Sequence, residues 1–145
     1  EFLLAHARLT AAGYGHYEVS NYGRPGFRAR HNSAYWRRAP FIGLGPSAHS
    51  GFGRRRRWNL AAWAAYERAL LAGKPVTEAE EVLDEAQVRL EELYLGLRTV
   101  EGLPTALLGS PSAWFDAGWA ESVGDRIVLT PEGWLRLDAL VRSVA

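Results

Sequence analysis

Apolar positions recur at spacings of three and four along several stretches of the chain, so helices carry most of the pattern. The clearest stripe is Leu83, Ala86, Leu90, Leu93, Tyr94 and Leu97, all on one helical face. Thr77-Glu78-Ala79-Glu80 ahead of it fits a capping box, and Gly102 and Pro104 end it. A second helix is predicted over residues 60–71, with Asn59 as its N-cap and Gly73 closing it. Residues 1–12 read as a helix stopped near Gly13 and Gly15, and residues 32–37 and 111–117 as short helices. A last helix follows Thr130, with Pro131 at its first position, where no amide donor is needed.

Strand patterning is sparser. Residues 16–22 are aromatic and β-branched and read as one strand, Phe41-Ile42-Gly43-Leu44 as a short buried strand, and residues 126–129 as another. Gly23-Arg24-Pro25-Gly26 is turn chemistry, and residues 45–53 form a loop edged by Gly45, Pro46, Gly51 and Gly53. A composition shift near residue 59 divides a glycine- and arginine-rich half from a helical half.

Composition narrows the classes. With 48% apolar and 23% charged residues the chain is globular, and its 145 residues suggest about one domain. Seventeen basic against sixteen acidic residues leave no basic excess of the kind a nucleic-acid binder shows. No apolar run approaches the ~18 residues of a membrane span, and no signal-type segment opens the chain. The expectation is a soluble, cytoplasmic protein. There is no Cys, so disulfides, thiolate nucleophiles and cysteine-held clusters are excluded within these residues. There is also no Met, and the first residues already read as helix without a cap. The expectation is a piece cut from a larger fold.

Several segments carry candidate chemistry. On one strand, Glu18, Ser20 and Tyr22 share a face, which either lines a cofactor cavity or is simply half exposed. His31-Asn32-Ser33-Ala34-Tyr35-Trp36, if helical, puts His31 and Tyr35 one turn apart. A neutral imidazole ligates haem iron and flat aromatics suit a porphyrin face. Arg28, Arg30, Arg37 and Arg38 surround the segment and can pair carboxylates bidentately. The alternative is a hydrogen-bonded histidine beside a packed tryptophan.

Gly43-Leu44-Gly45-Pro46-Ser47-Ala48 superficially matches a dinucleotide fingerprint, but that fingerprint must open a helix and this segment does not. What remains is a strand end whose missing side chains let a flat ligand such as adenine approach, or a tight structural turn. Ser47, Ser50, His49 and Asp116 lack a nucleophile elbow and make a poor triad. Arg54-Arg55-Arg56-Arg57 reads first as solvated surface, with local nucleic-acid or membrane-surface contact as the lesser reading. His6 and His16 read as structural.

In order, Tyr17-Glu18-Val19-Ser20-Asn21-Tyr22, Pro25-Gly26, His31-Asn32 with Tyr35-Trp36, Gly43-Leu44-Gly45-Pro46 with Ala48-His49-Ser50, and Arg57 with Asn59 resemble the HemW haem-chaperone family. That family is similar to the oxygen-independent coproporphyrinogen III oxidases. Leu95-Gly96-Leu97-Arg98, Glu101-Gly102-Leu103 and Leu129-Thr130-Pro131-Glu132-Gly133 resemble its C-terminal domain. Gly23 and Ser47 depart from the residues usual there.

The resemblance implies an α/β fold: residues 1–58 ending a partial radical-SAM (β/α) barrel, 59–76 a connecting helix, and 77–145 a helical, winged-helix-like domain. It also implies haem at His31, Asn32, Tyr35 and Trp36, with His31 on the iron, and S-adenosylmethionine near Gly43 and Gly45. Glu18, Ser20 and His49 join these as expected cofactor-binding residues. The family's CxxxCxxC motif for a 4Fe-4S cluster is missing, so this chain alone should be inactive.

The implied role is haem binding and transfer to a haem-accepting respiratory protein. Anaerobic decarboxylation of coproporphyrinogen III by the same fold is the first alternative. A winged-helix nucleic-acid module is the second, disfavoured because the last helix, with Arg136, Asp138 and Arg142, is not strongly basic.

Overall fold

A computed structural model describes residues 1–109 and 111–145. In chain order the elements are α1 (Phe2–Ala11), β1 (Gly15–Glu18), β2 (Asn21–Gly23), α2 (Arg30–Trp36), β3 (His49–Phe52), β4 (Arg55–Asn59), α3 (Trp63–Leu71) and β5 (Thr77–Val82). Then follow α4 (Glu85–Leu97), β6 (Leu103–Pro104), α5 (Thr105–Leu108), α6 (Ser112–Asp116), β7 (Ala120–Val123), β8 (Arg126–Leu129), α7 (Pro131–Trp134) and α8 (Leu137–Val144). The chain forms two compact units, Glu1–Arg37 with Arg89–Ala145, and Arg38–Val88. The composition shift near residue 59 therefore falls inside the second unit.

The first unit holds the main core. Leu93 and Leu97 of α4, one turn apart, are 1% and 0% exposed. They pack with Leu103, Ile127, Leu129, Trp134, Leu140 and Val141. Trp134 donates its indole N–H to the carbonyl of Leu97 at 3.0 Å, so this buried polar group is satisfied. A small antiparallel sheet of order β6-β8-β7 lies in the same unit. The Thr130 cap is as the sequence predicts: its hydroxyl accepts the Gly133 N–H, with Pro131 opening α7.

The segment 16–22 is not one strand. β1 and β2 are the arms of a hairpin turning at Val19 and Ser20. Among the contacts that hold the turn, the Val19 N–H donates to the Arg98 carbonyl, and the Ser20 N–H to the Glu18 carboxylate. The first partner lies far along the chain, out of reach of local propensity.

The second unit is an antiparallel sheet of order β3-β4-β5 with α3 between β4 and β5 in sequence. Residues 45–53, predicted as loop, supply β3, and Gly53 and Arg54 make its tight turn into β4, with Gly53 at a φ of +61°. Thr77-Glu78-Ala79-Glu80 is not a capping box but strand β5, paired with β4 so that Glu80 faces Arg57 and Glu81 faces Arg56. Opposite charges directly across a ladder favour that pairing. The reciprocal cap is seven residues later: the Asp84 N–H donates to Gln87 Oε1 and the Gln87 N–H to Asp84 Oδ1, both at 2.8 Å. Asn59 likewise is no N-cap. It ends β4, and Ala62 precedes α3 without a side-chain cap.

Candidate functional site

The predicted short helix exists as α2, with His31, Asn32, Tyr35 and Trp36 on it. His31 is exposed, and the other three are partly buried. The His31 and Tyr35 rings meet edge to face at 4.8 Å, as one-turn spacing requires. Trp36 lies under the guanidinium of Arg98, 3.9 Å from its ring centroid. Its indole N–H and the Tyr22 hydroxyl are enclosed without a hydrogen-bond partner among the described residues.

Glu18 is fully enclosed. One carboxylate oxygen accepts from Arg98 Nε and Nη2 at 3.2 and 3.1 Å. The other accepts from the Ser20 N–H at 3.0 Å and from the Asn21 side-chain amide. The expected shared face of Glu18, Ser20 and Tyr22 dissolves with the hairpin: Glu18 ends β1, Ser20 is an exposed turn residue and Tyr22 lies on β2. Tyr17 completes the contact with α2, its hydroxyl accepting the Ala29 N–H at 3.2 Å. Tyr17 and Arg98 are the residues the sequence reading left out of the site. Both stood inside quoted motifs, which was their only signal.

Of the four arginines expected around this segment, Arg28 is committed elsewhere. It lies over the Tyr17 ring and pairs with Glu101 at 2.5 Å, both side chains half exposed.

Gly43, Gly45 and His49 lie in the second unit. Gly43 is glycine for packing: a Cβ there would sit 2.1 Å from the His49 carbonyl oxygen. Gly45 has a φ of +102° and open space at its Cβ position. The backbone groups of Gly43 and Gly45 are satisfied from within the unit. The Gly43 N–H donates to Ser50 Oγ at 3.0 Å and the Gly45 N–H to the Tyr66 hydroxyl at 3.2 Å. The buried Asn59 amide donates to both carbonyls, at 3.4 and 2.9 Å. His49 is exposed and stacks on Trp58 at 5.7 Å.

His6 and His16 are structural, as predicted, and they touch: Nδ1 lies 3.0 Å from Nδ1. His16 stacks on Tyr22 at 3.9 Å and meets the Trp134 edge. Burial lowers its pKa below the ordinary 6.5, with the Val19 carbonyl opposing and His6 adding to the shift.

An exposed imidazole beside an aromatic ring suits an axial haem ligand. The glycine loop suits a cofactor only partly, because its amides at 43 and 45 are already taken and the space beside Gly43 is filled by backbone. An iron–sulfur cluster does not fit these residues at all, for there is no cysteine among them. Among the described residues no three His, Asp or Glu side chains gather as a metal site, and no helix is long and apolar enough to cross a membrane.

This arrangement has known counterparts. The fold matches that of a solved structure described as coproporphyrinogen III oxidase (HemN) from Escherichia coli, a radical SAM enzyme, with a TM-score of 0.69. The match covers 97% of this chain and 39% of that one at 16% identity, so it defines a mixed α/β fold shared with a radical-SAM protein. In sequence the chain is related to the HemW haem chaperones along nearly its whole length. It is 38% identical over 146 residues to heme chaperone HemW of Mycobacterium tuberculosis, covering 97% of this chain. Identity is also 38% with that of Synechocystis sp., over 85% of the chain, and 50% over 48 residues with that of Escherichia coli. The chain spans 37% of the length of the Mycobacterium tuberculosis relative. No family model matches it.

Proposed function

We propose that these residues form the haem-handling part of a radical-SAM-type haem chaperone, with His31 as the iron ligand. The observation that carries this is α2 itself. In a chain 38% identical to a haem chaperone, the His-Asn-x-x-Tyr-Trp string is a helix that leaves the His31 imidazole exposed beside Tyr35. An exposed neutral imidazole is a strong ligand for haem iron, and neither Cys nor Met competes within the chain. Asn32, Tyr35 and Trp36 complete the porphyrin contact. In this reading S-adenosylmethionine binds near Gly43 and Gly45, where the open Cβ side of Gly45 supports close approach of a flat group. The cluster is held by residues outside those described.

The finer architecture belongs to the same reading. The order α4, β6, α5, α6, β7, β8 with a β6-β8-β7 sheet supports a winged-helix-like domain. Residues 1–58 are read as the end of a partial barrel, with 59–76 as the connection to residues 77–145. The partner is a haem-accepting respiratory protein, and the setting is the cytoplasm.

Hemin titration of the intact protein tests this reading. Wild type and His49→Ala should give a shifted Soret band, and His31→Ala should not. A normal shift in His31→Ala with loss in His49→Ala exchanges the two roles. The fold match to the oxidase keeps decarboxylation as a second reading, and turnover of coproporphyrinogen III by the intact protein without haem binding would favour it.

A further inference from the structure

α2 has seven residues, none of them buried, and no side-chain cap. A helix this short is not stable by itself, so tertiary contacts set its orientation. Both ends are held from β1. At the start, the Tyr17 hydroxyl takes the Ala29 N–H. At the end, Trp36 lies under Arg98, and Arg98 is held by Glu18.

We propose that Arg98 is a positioning residue for the haem site: clamped edge-on by Glu18, it fixes Trp36 and thereby the direction in which α2 presents His31. This rests on the haem reading above. The guanidinium uses its two functions at once. Nε and Nη2 grip one oxygen of a carboxylate that is 0% exposed, and its central carbon lies 3.9 Å over the indole ring. Only a planar fork does both; a lysine ammonium keeps the charge but loses the paired donors and the stacking surface.

The clamp stands on rigid ground. Arg98 follows Leu97, which is 0% exposed in the core, and its carbonyl takes the Val19 N–H at the hairpin turn. With no partner for the Trp36 N–H among the described residues, the ring face under Arg98 is a surface by which the indole is held. Glu18, Arg98 and Trp36 thus join three sequence motifs that no local pattern connects.

The test uses the intact protein, hemin, and the variants Arg98→Lys and Trp36→Phe. Arg98→Lys should fold, by circular dichroism and thermal melting. It should bind hemin about tenfold more weakly, as losing the support of a metal ligand commonly does. Its spin state by resonance Raman should shift, since the imidazole then meets the iron at a different angle. Trp36→Phe, which leaves an aromatic face for the guanidinium, should keep more affinity than Arg98→Lys. A folded Arg98→Lys with wild-type affinity and spin state overturns the inference and leaves the haem reading standing. Wild-type protein that leaves hemin free overturns both.

Discussion

Glu18 and Arg98 stand 80 positions apart in sequence and share a carboxylate oxygen through two hydrogen bonds, one partner fully enclosed and the other 19% exposed. Removing one member of such a pair leaves an uncompensated charge. Glu18→Ala also strips the Ser20 N–H and the Asn21 amide of their acceptor. The expected loss is about 3 kcal/mol in denaturant unfolding. Exposed Arg28 and Glu101 make the internal control, since breaking a solvated pair should cost about 0.5 kcal/mol.

Gly43 and Gly45 should respond differently to alanine. At Gly43 the new Cβ would lie 2.1 Å from a backbone oxygen, so β3 or the segment before it must move. Such overpacking costs about 3 kcal/mol. At Gly45 there is room, and only the positive φ resists, at a cost of about 1 kcal/mol. Thermal melts of the two variants should rank in that order, and a Gly43 variant that loses no more than the Gly45 variant would show that packing at Gly43 does not constrain the loop.

The His6–His16 contact gives a pH dependence. With 3.0 Å between the two Nδ1 atoms, one must donate and the other accept, so the pair excludes two protonated rings. Burial lowers the folded pKa of His16 below 6.5, so the unfolded chain takes up the proton first as pH falls. The stability is fully present above pH 6.5 and is lost as pH drops through the folded pKa. Melting temperature against pH should fall below 6.5 in wild type and flatten in His16→Gln.

Much of the fold was legible where local pattern and tertiary context agree. The stripe ending at Leu93 and Leu97, the Thr130-Pro131 cap and the strand over 126–129 were all readable. The reading failed where partners are distant. Thr77-Glu78-Ala79-Glu80 satisfies a capping rule yet pairs across to the end of β4, where Thr77 faces Asn59 and Glu80 faces Arg57. Asn59 has a cap's side chain but spends it on the carbonyls of Gly43 and Gly45. The basic run is open surface as expected at Arg54, Arg55 and Arg57, but the pairing of Arg56 and Arg57 with glutamates of β5 was not legible locally. In the site, the residues of α2 stood out as a motif. Arg98 did not, because its meaning comes from Glu18 and Trp36, both more than sixty positions earlier in the sequence.

The role of His31 is tested most directly by the iron–histidine stretching band of the ferrous haem complex. Resonance Raman of the intact wild-type protein should show the band, His31→Ala should lack it, and added imidazole should restore it. A band that persists unchanged in His31→Ala would contradict the assignment and move the iron to another residue.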